Sequence, residues 1–451
     1  MNFPAYAAVG VRNVSEDDQK NKALYYFDGA FKQDIIYTGL NVTLFLKFLI
    51  FKKDLGDGKV MSFNDIRKYK DAIIWGCKIA KEPLPENFYR EIDDYLHGYK
   101  KLTVQKKKDG KLSEEEADPI THTLFKLLLN WAIASNNIFA WFWCLMQWNC
   151  MARSANVDPL GFHNISLGTD SIRIKYDDSK TKKSGEKLST KNIYANPLDY
   201  TQCFYLGLGI YCCIYSNKLS TSEKLFLNQG TKGKSAATRY QEQLVGLLKD
   251  KHNIVRQHIR VKHFNAYGMR KGSATLAACG TTAPPPIPSI ARRGEWSMGS
   301  VLEVYWHFSE PGDQYLGRIL VGLDPTDATF GILPPHFTMI DPENNADVKR
   351  AATMMYGPII EGHKDKEHDP SALLYRCLAS VVHHSDKLIE VITTYPGHDF
   401  NKIPILHDKA LLERLKVLVT IDKTEGVLTD STGIPPHIET AVKLQVSSYF
   451  M

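Results

Sequence analysis

The segment TTAPPPIPS, residues 281–289, constrains this chain more than any other stretch. Proline lacks the backbone donor and clashes with the turn before it, so no helix runs through four prolines in five positions. The segment is therefore a stiff connection between elements on either side. Before it, YGMRKGSATLAACG reads as a basic helix carrying Arg270, with Gly280 as its stop. After it come R-R-G-E-W-S and then a tyrosine nine residues beyond Trp296, on two further short helices.

Most of the remaining chain carries helical periodicity. TLFLKFLIFKKDL, SFNDIRKYKDAIIWGCKIA opening on Ser62 as N-cap, and PENFYREIDDYLHGYKKL predict a small all-helical module over residues 34–104, after an N-terminal extension 1–33. The charged run QKKKDGKLSEEEADP supplies a linker, residues 105–118. THTLFKLLLNWAIAS and a tryptophan-rich run ending near Trp148 are apolar helices, and QCFYLGLGIYCCIYS and RYQEQLVGLLKDKH are two more. SIRIKYDD and KNIYAN read as strands flanking a lysine-rich turn. DPSALLYRCLASVVHHSDKLIEVI and HDKALLERLKVLVTI predict amphipathic helices in a C-terminal extension, residues 341–451, read as a cap on the domain before it. The expected fold is mainly α with a small antiparallel sheet.

The residue types have a shared chemistry. Attack on a phosphodiester spreads negative charge over the non-bridging oxygens, and two planar guanidinium groups can hold both. Arg153, emerging from the tryptophan-rich helix, and Arg270 are the candidates. A lysine at the leaving 5′ oxygen can donate a proton. The lysine-rich turn offers Lys180 and Lys182 for that task, with Lys182, Lys183, Lys271, Arg292 and Arg293 as further DNA contacts. A tyrosine whose phenol pKa of about 10 is lowered by nearby cations can act as the nucleophile. Tyr305 and, ten residues on, Tyr315 are the candidates after Trp296. The phosphotyrosyl bond would conserve the energy of the broken one, so no metal, ATP or other cofactor is expected.

The stretch YGMRKGSATLAACGTTAPPPIPSIARRGEWSMGSVLEVYWHF resembles the catalytic core of tyrosine recombinases, the phage-integrase-like superfamily, and looks closest to its eukaryotic Crypton-type transposon branch. WNCMARSANV resembles that family's first-arginine helix, SKTKKSGE its lysine hairpin, IYANP the strand after it, and GDQYLGR with FGILPPHF the tail after the nucleophile. The likeness spans about residues 40–340. It implies a catalytic domain over residues 119–340, preceded by a SAM-like, all-helical core-binding domain over 34–104 that clamps the duplex. It further implies that Arg153 and Arg270 hold the scissile phosphate, Lys180 is the general acid, Trp296 packs against or hydrogen-bonds the phosphate, and Tyr305 attacks. Tyr267 stands where the family has histidine, and Asn156 stands where an acid often follows the first arginine. The implied function is site-specific recombination for integration or excision of a mobile element, on double-stranded DNA, by a homo-oligomer, a tetramer. A DNA-binding descendant without cleavage and a type IB topoisomerase-like enzyme are the alternatives.

Charge distribution agrees with a polyanion partner. Residues 117–320 hold 24 Lys and Arg against 14 Asp and Glu, whereas residues 321–451 hold 12 against 18. The eight cysteines form no C-x-x-C pair and read as reduced thiols in an intracellular protein, nuclear in a eukaryotic host. His363, His368, His383 and His384 suggest no zinc site, and EGHKDKEHD reads as a solvated linker. No secretory leader is evident, and no apolar run reaches the length of a membrane span.

Overall fold

The computed structural model describes residues 41–56, 58–109, 118–177, 189–228, 233–250, 265–296, 310–339, 341–364 and 366–422. The chain divides into two compact units, Met1–Glu116 and Ala117–Met451. The described residues are mainly helical, with small antiparallel sheets, and none of their helices is long and apolar enough to cross a membrane.

Three helices form the described part of the first unit: α1 (Val42–Lys53), α2 (Phe63–Ala80) and α3 (Phe88–Lys108). Ser62 caps α2 as its sequence suggests, its hydroxyl accepting from the Asp65 N–H at 3.1 Å. Phe45, Leu49, Ile66, Ile73, Phe88, Ile92 and Leu96 close the core. The third helix extends into the segment read as linker.

The second unit is built around α5 (Ile138–Asn149), every residue of which is buried. A helix that is apolar on all sides must be surrounded. Here α4 (His122–Ala134), α7 (Phe204–Ile214), α9 (Ala236–Asp250), α10 (Ala266–Cys279) and α12 (Glu310–Leu320) surround it. Its indoles find acceptors inside: Trp141 donates to the Thr201 carbonyl at 2.8 Å and Trp148 to the Leu320 carbonyl at 3.1 Å. Gln147 donates to the Ala266 carbonyl at 2.9 Å, which ties the end of α5 to the start of α10.

The sheet is a meander of β1 (Ile165–Leu167), β2 (Ile172–Ile174) and β3 (Lys191–Ile193), with Ile172 facing Ile193 and Arg173 facing Asn192. Its second and third strands are those expected around the lysine-rich turn. The C-terminal helices α13 (Ala346–His363), α14 (Ser371–His383), α15 (Ser385–Thr394) and α16 (Lys409–Leu418) are buried in the same core as α5, with α14 laid on α7.

Three local readings need correction. The single helix expected over 369–392 breaks at His384 into α14 and α15. The helix α13, for which the sequence analysis made no reading, holds Pro358 within it. EGHKDKEHD is only partly a solvated linker, because His363 ends that helix buried, its Nε2 3.0 Å from the Leu219 carbonyl. After α16 the chain enters β5 (Val419–Thr420), which pairs with β4 (His336–Phe337). No metal-binding cluster of His, Cys, Asp or Glu occurs among the described residues.

Candidate active site

The first arginine is delivered by a sharp turn. After α5 the chain passes through Met151 at φ 48°, the left-handed region that favours glycine. The Met151 N–H donates to the Trp148 carbonyl at 3.0 Å and the Ala152 N–H to the Gln147 carbonyl at 2.9 Å, a doubly bonded helix end. Arg153 follows, immediately before the single helical turn Ser154–Val157.

Arg270 comes from α10, and the glycines around it have a physical reason. The Ile120 N–H donates to the Gly268 carbonyl at 2.9 Å, and a Cβ on Gly272 would fall 1.8 Å from the Ile120 carbonyl oxygen. The backbone at 118–120 therefore lies directly on the face of the helix, where only glycine leaves room. This contact seats Arg270, which is 3% exposed, at the end of α5.

A second helix end meets the same guanidinium. The helix α11 (Ile287–Arg293) starts on the proline-rich connection and ends at Gly294. Glu295 then takes φ 50°; its N–H donates to the Arg292 carbonyl at 3.0 Å and the Trp296 N–H to the Ala291 carbonyl at 2.9 Å. Arg270 Nη1 donates to the Met151 carbonyl at 2.8 Å, and its Nη2 donates to the Gly294 carbonyl. Two of the four non-glycine residues with positive φ among the described residues, Met151 and Glu295, thus flank one arginine.

Electrostatics marks the place as unusual. Burial, and next the positive charge of Arg153, push the Arg270 guanidinium down to about 10. Arg270 Nε and Arg153 Nη1 are both buried without a hydrogen-bond partner among the described residues. A guanidinium carries five N–H donors, and a buried donor left unmet costs about 1–3 kcal/mol. Two like charges with unspent donors can together take an oxyanion. The Trp296 ring centre lies 5.4 Å from the Arg270 guanidinium carbon, and the residue is 37% exposed.

Around this pair, Tyr267 is exposed one helical turn before Arg270, with Lys271 Nζ 5.7 Å from its ring centre. Arg292 is exposed, while Asn156 is buried. Lys180, Lys182, Lys183 and Tyr305 lie outside the described residues. Tyr315, the alternative nucleophile, donates its hydroxyl to the Ala283 carbonyl at 2.6 Å and packs on Phe330.

Arg293 is not a DNA contact, contrary to the sequence reading. It is 1% exposed and spends its guanidinium inside: Nε on the Asn149 carbonyl at 2.9 Å, Nη2 on the Asn192 carbonyl at 2.9 Å and Nη1 on Asp313 at 2.6 Å. Successive residues on a helix point about 100° apart, which lets Arg292 face outward while Arg293 turns inward. Sequence reasoning also missed Lys191, Glu295, Arg318 and Asp170. Lys191 pairs with Glu295 at 2.6 Å and Arg318 with Asp170 at 2.9 Å, all four buried. The one signal for them is alternation along KNIYAN, which puts Lys191 on the same side of β3 as Ile193.

Compared with known proteins, the chain matches no protein-family model and no curated protein.

Proposed function

We propose that this chain is a tyrosine recombinase that cleaves and rejoins double-stranded DNA through a 3′-phosphotyrosyl intermediate, acting as a tetramer in mobile-element integration or excision. The observation that supports this most is the pairing of buried Arg270 with partly buried Arg153, two like charges from separate elements, each with a buried donor unspent among the described residues. Such a pair fits a phosphodiester whose non-bridging oxygens gain charge as phosphorus is attacked.

In this reading Arg153 and Arg270 clamp the phosphate and the Trp296 indole covers one side of it. Tyr305 attacks phosphorus as its phenolate, forming the phenolic P–O bond as the bond to the 5′ oxygen breaks, and Lys180 gives that oxygen its proton. Rejoining reverses each step: the 5′ hydroxyl attacks, the phenolate leaves, and Lys180 takes the proton back. Lys271 and Arg292 contact neighbouring phosphates and set position rather than sequence preference.

The test is a nicked duplex spanning the ends of the DNA element that encodes the chain. Incubation should yield a protein–DNA adduct that survives SDS, and Tyr305→Phe should abolish it. DNA binding with no adduct would overturn the enzymatic reading in favour of a binding protein, which Tyr267 and Asn156, in place of the usual histidine and acid, would suit.

A further inference from the structure

We propose that Lys191 and Glu295 form a positioning pair for the phosphate clamp, holding the left-handed turn that fixes both the Gly294 carbonyl and the Trp296 indole on Arg270. The proposal rests on the reading of Arg153 and Arg270 as that clamp.

A carboxylate beside two arginines would ordinarily neutralise them. Glu295 instead turns its Oε1 toward β3, accepting from Lys191 Nζ at 2.6 Å and from the Ser189 hydroxyl at 3.0 Å. Lys191 is 0% exposed and Glu295 3%. The ammonium also lies 4.1 Å from the Tyr176 ring centre and donates to the Ser189 carbonyl at 3.3 Å, so its surroundings hold it in one place. Lys191 and Ser189 thus hold Oε1 toward β3, and the remaining pull of Glu295 on Arg270 is a smaller influence than burial and the charge of Arg153.

Glu295 also occupies a backbone conformation that disfavours a side chain. At φ 50° a residue other than glycine is strained by about 1–2 kcal/mol. Glycine stands one position earlier, at Gly294, where φ is −72° and no such need exists. A glutamate kept where glycine would be unstrained points to a task for its side chain. Anchoring the carboxylate sets the peptide before it, whose carbonyl accepts from Arg270 Nη2, and the residue after it, Trp296. A Cβ on Gly294 would come within 3.0 Å of the indole, so the ring is seated on that peptide as well as beside the guanidinium. Lys191 thus ties β3 to the turn that ends at Trp296.

The test titrates the full chain with inorganic phosphate and follows the part of the tryptophan fluorescence that a Trp296→Phe background removes. Two variants carry the comparison: Glu295→Gln, and the double change Lys191→Met with Glu295→Gly. The second leaves no buried charge alone and relieves the backbone, so it should unfold in urea near the wild-type midpoint. Phosphate affinity should fall about tenfold in both, because the clamp loses its anchor. A Glu295→Gln protein that binds phosphate equally or more tightly would overturn the proposal, since loss of a negative charge near the anion favours binding unless position is what matters. Wild-type affinity in the double variant would overturn it too. A wild-type chain showing no phosphate response that Arg270→Met removes would sink the clamp reading and this proposal together. Normal phosphate binding without cleavage of the nicked duplex would overturn strand cleavage alone and leave the pair standing.

Discussion

Arg270 and Arg293 stand 23 residues apart, both buried and both bonded to backbone carbonyls, yet they do different things. Arg293 has an acid, Asp313, and carbonyls for its remaining nitrogens, so its charge is answered and its donors are used. Arg270 is bonded to two carbonyls at strained helix ends, lies near a second arginine, and keeps Nε unmet among the described residues. Burial alone therefore says little about an arginine's role. In the proposed reading, what separates the strut from the binding group is the counter-charge and the acceptors that the fold supplies to each.

The comparison breaks most readily at Asp313. Asp313→Ala leaves the Arg293 guanidinium buried without its carboxylate and removes the acceptor for the Asn192 N–H. It should cost about 3–5 kcal/mol in urea unfolding, the range for a buried pair broken from one side. An unchanged midpoint would mean that Arg293 is not a strut. Arg270→Met should behave in the opposite way. Adduct formation should drop about a hundredfold or more, while the unfolding midpoint stays put or rises, because a desolvated like charge has been removed. A large loss of stability there would erase the distinction between the two arginines.

His384 sharpens the comparison from outside the site. Its Nε2 is also buried without a partner among the described residues, and burial, aided by His383, pushes the ring down to about 3. The unfolded chain binds this proton below the usual histidine value near 6.5, and the folded chain does not. Stability should therefore be full above that pH and fall by up to about 1.4 kcal/mol per unit on acidification toward 3. His384→Leu should flatten that slope in urea melts between pH 6.5 and 4.5 and leave the proposed DNA cleavage unchanged at neutral pH. An unmet nitrogen is thus not itself a mark of function; Arg270 differs in having Arg153 beside it.

Several elements are legible in the residue pattern alone. The serine cap at Ser62, the helix holding Arg270, and the two strands at 172–174 and 191–193 follow from local patterns. Arg153 and Arg270, paired on their chemistry, do lie close enough for one charge to disturb the other. Arg293 misleads because two adjacent arginines look like one basic patch until helical rotation is applied. Pro358 argues against a helix over 346–363, and β5 is hidden because a two-residue strand has no period to read.

Residue pattern was enough to specify most of where this chain becomes helix and where the 284–288 prolines interrupt it. Those are local matters, governed by backbone sterics and the spacing of apolar residues over a few turns. Which arginine would receive an acid, and that a lysine and a glutamate 104 positions apart would meet at 2.6 Å, depended on how the hairpin and the helices after it packed around α5. Counter-charge reaches a buried group across space, and no spacing along the chain encodes it.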